Sequence, residues 1–281
     1  MNTYQSNESL ARAKAQELRQ QSGLGLAPVT DMAVLFESLG FDLAVIETED
    51  EHAHGMTAKD PASGRIFTVV STTRSPMRQR SNIAHELGHI LFDEWHESDD
   101  ADYAARDGAE VRADAFARHL LIPEDGIKQF ALQRQISEWT QADFSSLVQT
   151  FQVSPAMAAI AASNAGVITT EAKEVYKQYS TFKLAQQFGW ADQYRTLQSA
   201  SEQKKAPQRL LQRAVSAYQQ GVVGLQTVAT LRQLPLAQVE AEFDEAGIAR
   251  LPLQDKEFAD FDMLDSISAE ELDSILGGDD G

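Results

Sequence analysis

Residues 75–92 read "SPMRQRSNIAHELGHILF". Ser75-Pro76 has the form of an N-cap followed by proline in the first helical position, so a helix is expected to run from there to about Phe92. Residues four apart share a helix face, and His85 and His89 can therefore direct two imidazole nitrogens at one point. Ile83, Ala84, Leu87, Ile90, Leu91 and Phe92 make the rest of the helix apolar, so the histidines and Glu86 enter a setting where polar groups are costly unless something satisfies them. One solution is a metal ion. The other is a half-exposed face on which the rings bond to backbone or water.

The metal reading assigns more than the two rings. Glu86 lies one step round from His85, where a carboxylate reaches a metal-activated water without binding the metal itself, the position of a general base. Gly88 leaves space beside the site. A catalytic zinc takes a third protein ligand and keeps an open position for water. The chain has no cysteine, so the candidates are His96, His119 and downstream carboxylates. Glu110 is the choice, because in the helix expected from about Ala109 to Leu121 it shares a face with Ala113, Asp114 and Ala117, and the alanines allow close approach to the motif helix. An acid at a helix N-terminus is also favoured by the macrodipole alone. Asp114, one turn on, suits a partner that orients a histidine. For an oxyanion donor the sequence offers Tyr103, His119 and His54 without choosing among them.

Working outward, an opening helix spans 8–22, and "VTDMAVLFESLGF" forms a second, capped at Thr30 or Asp31 and ended at Gly40. "DLAVIET" has strand character. Two extended segments flank an Asp60-to-Gly64 turn, a β-hairpin whose second arm, Ile66 to Ser71, is β-branched and aromatic. That arm directly precedes the motif helix, and its exposed edge is expected to pair with an extended substrate segment. Residues 93–110 are acidic and too poor in apolar residues for a core element. From 124 onward the pattern is helical, with helix-turn-helix-like spacing around Val153-Ser154-Pro155, a polar candidate linker near 200–207, and two short helices meeting at Leu234-Pro235.

Composition narrows the function. The 281 residues, 43% hydrophobic, are enough to build a core unaided. With no cysteine, disulfides and thiolate metal sites are excluded. No apolar run approaches the roughly 18 residues of a membrane span, and "MNTYQSNESLARAKAQELRQ" lacks the apolar core of a signal peptide, so a cytoplasmic protein is expected. The balance of 24 basic against 42 acidic residues, net −18, disfavours contact with phosphate backbones. "VSPAMAAIAASNAG" supplies no Arg or Lys for base edges, so no direct nucleic-acid binding is expected. Residues 255–281 hold ten acids against Lys256 alone. Their interleaved apolar residues indicate an interaction or autoinhibitory element, or else a solvated tail.

Taken together, "RQRSNIAHELGHILF", "EVRADAFARHLLIP" and "FQVSPAMAAIAASNAGVI", in that order, resemble the ImmA/IrrE family of small zinc-dependent peptidases. The resemblance covers about residues 25–168. It implies an α+β fold: a compact zincin-like metallopeptidase domain, with a small sheet plus active-site helix, followed by helical, helix-turn-helix-like modules. It implies Zn2+ held by His85, His89 and Glu110, with Glu86 as catalytic acid/base. It further implies cleavage of a regulatory protein, a helix-turn-helix repressor or antitoxin, in stress, mobile-element or toxin–antitoxin regulation. The alternative is a non-catalytic regulatory binding protein acting through its helical modules and acidic tail. The chain departs from the family at Ser81 and Asn82, and at Asp93, where a histidine is common. The expected divisions are 1–125 for the peptidase domain, 126–170 and 171–252 for two helical modules, and 253–281 for the tail.

Overall fold

Asp31 ends an extended segment, and its carboxylate accepts the backbone N–H groups of Ala33 and Val34 at 2.8 and 3.1 Å, the orphan donors of a new helix. That helix, α2, belongs to a computed structural model that describes residues 3–48, 55–94 and 103–250. The first part of the chain runs α1 (Thr3–Gln21), α2 (Met32–Ser38), β1 (Asp42–Ile46), β2 (Gly55–Lys59), β3 (Ile66–Ser71), α3 (Pro76–Leu91) and α4 (Tyr103–Leu121). Gly40, at φ +94, terminates α2 in a conformation that only glycine adopts freely. The acidic tail lies outside the described residues.

The expected hairpin forms. Asp60 accepts the Ala62 N–H through its carboxylate at 3.0 Å and the Gly64 N–H through its carbonyl at 2.8 Å. β2 and β3 pair antiparallel with Thr57 opposite Thr68, while β1 pairs parallel to β3, so the sheet order is β1-β3-β2. This corrects the expectation of an exposed edge on Ile66–Ser71. That segment, the richest in β-branched and aromatic residues, takes the centre with both ladders used, and Thr68 and Val70 are buried. Among the described residues, β2 takes the edge of the sheet opposite β1. On the other side, Val45 and Lys205 exchange backbone hydrogen bonds of 2.8 and 2.9 Å. Ser201 anchors the same segment, its hydroxyl donating to Thr73 O at 2.7 Å and its carbonyl accepting from Gln79 Nε2 at 3.0 Å. The polar residues 200–207, expected as a linker, are thus held against the sheet by backbone pairing.

α3 lies between the sheet and α4, and α1 packs on α4 through Ala11, Ala15 and Leu18. Close packing of α3 on α4 depends on a missing side chain: a Cβ on Gly88 would come within 3.1 Å of Ala113 Cα and 3.2 Å of the Phe116 ring. α4 begins at Tyr103, six residues before the expected start, because the strong helix formers Ala104 and Ala105 outweigh the acids around them.

α5 (Glu124–Gln133), α6 (Gln141–Phe151), α7 (Pro155–Asn164), α8 (Thr170–Lys177), α9 (Thr181–Gln187) and α10 (Ala191–Ser201) continue this mixed α+β unit. Thr140 and Asp143 form a capping box at α6, and Ser154 caps α7. α7 is a core helix, with Ala158, Ala159, Ala161 and Ala162 buried. Trp190 donates its indole N–H to the Ser145 hydroxyl at 3.0 Å, satisfying two buried polar groups at once. α11 (Gln208–Gln219), α12 (Leu225–Arg232) and α13 (Leu236–Glu245) follow. The contacts divide the chain into one unit up to Gln212 with Leu231–Gln233, and a second of Arg213–Thr230 and residues from Leu234 onward. The second has its own core of Ala214, Val228, Ala229, Val239 and Phe243, with the Tyr218 ring edge-on to Phe243. Among the described residues, no helix is long and apolar enough to cross a membrane.

Candidate metal centre

The periodicity of α3 places His85 directly beneath His89, with Nε2 atoms 3.0 Å apart and rings at 76°. Glu110 enters from α4. Its Oε2 lies 3.1 Å from His85 Nε2 and its Oε1 3.4 Å from His89 Nε2. Among the described residues, His85, His89 and Glu110 form a group whose ligand atoms all lie within 4.8 Å of one another.

This triangle has the dimensions of a metal site. Four-coordinate zinc with bonds of about 2.0–2.1 Å separates its ligand atoms by about 3.3–3.4 Å. The outer nitrogens sharpen the fit. His85 Nδ1 is 2.8 Å from Asp114 Oδ1, and His89 Nδ1 is 3.4 Å from Glu94 Oε2. A carboxylate only accepts, so each Nδ1 carries the proton and each Nε2 turns a lone pair inward. Two lone pairs 3.0 Å apart beside a carboxylate call for a cation. Without a metal, protons serve: burial opposes the charged ring, yet bonds to Asp114 and Glu110 lift the His85 imidazole to about 10. The same opposition, overcome by Glu110 and Glu94, lifts His89 to about 9. Glu110 moves the opposite way, held far below the usual carboxylate range by hydrogen bonds from His85 and His89.

Glu86 lies outside this triangle and is buried. Its Oε2 accepts the Thr57 hydroxyl at 2.6 Å, and Thr57 in turn accepts from Thr68 at 2.8 Å, since its single proton is already committed. The strand comes this close because Gly55 has no side chain: a Cβ there would lie 2.6 Å from Glu86 Oε1.

The residues named from sequence distribute as follows. His85, His89 and Glu110 converge, Asp114 bonds to His85, and Glu86 faces β2. His119 does not join them. Nine residues beyond Glu110 it falls on the opposite side of α4, where it is buried and bonds to Glu8 at 2.8 Å, tying α1 to α4. His54 and His96 lie outside the described residues, as does the Tyr103 side chain. Sequence reasoning missed Glu94 and Thr57. Glu94 was detectable as an acid just past the end of a helix whose last histidine needs an acceptor; Thr57 depends on strand register.

This fold and donor set are compatible with a metallopeptidase-type domain. Residues 36–163 match the peptidase family model described as the IrrE N-terminal-like domain. The match runs from the end of α2 to α7 and includes all three converging residues. No curated protein matches the chain.

Proposed function

We propose that the protein is a zinc-dependent endopeptidase acting on a regulatory protein, a helix-turn-helix repressor or antitoxin. The observation that carries the catalytic part is the inward-facing triangle of His85 Nε2, His89 Nε2 and the Glu110 carboxylate beside a buried Glu86. The family match supports the reaction class, and the regulatory substrate rests on the family resemblance alone.

When bound by His85, His89 and Glu110, zinc supplies Lewis acidity toward water and toward a scissile carbonyl. Glu86 accepts the proton of the attacking water and returns it to the leaving amine. Thr57 holds one Glu86 oxygen, leaving the other to exchange that proton. The outer edge of β2, where no further strand pairs among the described residues, adjoins Glu86 at Gly55, and an extended substrate segment adds there as a further strand. Met56, 66% exposed on that strand, offers it an apolar contact.

The test combines metal analysis of the purified protein with incubation against the product of the neighbouring gene. One equivalent of zinc and cleavage that disappears in Glu86→Gln, with zinc retained, is the expected result. Absence of bound metal, or undiminished cleavage by Glu86→Gln, would overturn the catalytic reading. Full cellular function in Glu86→Gln would favour a protein that works by binding alone.

A further inference from the structure

The two rings of the triangle are supported unequally. Asp114, which bonds to His85, is 76% exposed, whereas Glu94, which bonds to His89, is 12% exposed. A carboxylate so far removed from water requires a partner. Arg112 of α4 supplies one, donating from Nε to Glu94 Oε1 at 2.6 Å and from Nη2 to the same oxygen. Its third nitrogen, Nη1, donates to Asn7 Oδ1 of α1 at 3.0 Å. Asn7 closes the chain by donating to Gly108 O at 3.3 Å. The Phe92 ring lies beneath the guanidinium, 6.0 Å from centroid to Cζ.

Glu94 reaches His89 through an uncommon backbone turn. After the last turn of α3, Asp93 takes the left-handed conformation at φ +56, which costs a non-glycine residue and persists where surrounding contacts impose it. The chain doubles back, the Glu94 N–H bonds to His89 O at 3.0 Å, and the side chain lies against the ring.

We infer that Glu94, clamped by Arg112, is a positioning residue of the metal centre: it keeps His89 protonated on Nδ1 with Nε2 aimed at the triangle, and ties that ring to the helix that brings Glu110. The inference rests on the metal reading above. Because Arg112 and Glu110 share α4, one ion pair sets the spacing between the α3 ligands and the α4 ligand before any metal arrives.

Cobalt(II) titration of the purified full chain tests this, with affinity read by competition against a chromophoric chelator and geometry by the visible ligand-field bands. The wild-type protein should bind one cobalt with bands typical of low coordination; failure there sinks the metal reading itself. Given that binding, Glu94→Gln, which keeps shape and an acceptor oxygen, should weaken affinity about ten- to a hundredfold and shift the bands. Asp114→Asn should weaken it less. Arg112→Met should mimic Glu94→Gln, and Arg112→Lys should restore part of the affinity. A purely structural role would lower the melting temperature of Glu94→Gln while leaving affinity within twofold and the bands in place, and that outcome overturns the inference. Should Glu94→Gln not fold, the two Arg112 variants decide the matter: weaker binding in Arg112→Met than in Arg112→Lys upholds the inference, and equal affinity in both overturns it.

Discussion

Single atoms decide two features of the centre. The hydroxyl of Thr57 is the donor to Glu86, and valine has the same shape without it. Thr57→Val should leave metal content unchanged and cost about 1–3 kcal/mol at the transition state, a loss of kcat/KM of about 5- to 150-fold in a peptide cleavage assay. At Gly88 the deciding feature is an absent methyl. Gly88→Ala must push against Ala113 Cα and the Phe116 ring, and overpacking of this kind costs about 1–3 kcal/mol, measurable as a lowered urea midpoint. At this scale the sequence is readable where spacing alone brings atoms together. His85, Glu86 and His89 are related by one helical turn, and the Glu110 face follows from a second helix with small residues. Glu94 and Thr57 escape such reasoning because each depends on a backbone event, a left-handed Asp93 or a strand register, that no residue type specifies.

Between elements, α1 is tied to α4 where Glu8 bonds to both Arg118 and His119. The hydrogen bond from His119 leads in lowering the Glu8 carboxyl, against opposing burial, to about 2. A depressed carboxylate contributes its stability above its ordinary pKa of 4.5 and loses it as pH falls toward 2. Urea midpoints should therefore show Glu8→Gln less stable than wild type at neutral pH, with the gap closing between about pH 4.5 and 2. Most elements are legible from periodicity and caps. Strand order was not, since a run such as Ile66–Ser71 carries the same residues at an edge or in the centre. The segment near Lys205 misled for a related reason: pairing through backbone leaves its side chains free to be polar, which reads as a linker. Lys205→Pro removes the N–H that donates to Val45, and hydrogen exchange should show weaker protection along β1.

For the molecule as a whole, metal uptake is a competition with protons. In the metal-free protein the His85 and His89 imidazoles, raised to about 10 and about 9, still hold protons at neutral pH. Their stabilising effect is complete below the ordinary histidine value of about 6.5 and is lost as pH rises through about 9–10. Zinc affinity should accordingly increase with pH, about tenfold per unit for each proton displaced, and calorimetry in buffers of different ionisation enthalpy should count those protons.

The sheet that holds the centre is asymmetric at its margins: among the described residues, β1 meets the returning backbone at Lys205, and β2 meets no further strand. Among the described residues, further strand addition therefore meets an obstacle beside β1 that it does not meet beside β2. A bridge at Val45, within β1, interrupts the row of backbone groups that another sheet would need there, one of the devices by which sheets resist edge-to-edge growth into fibres.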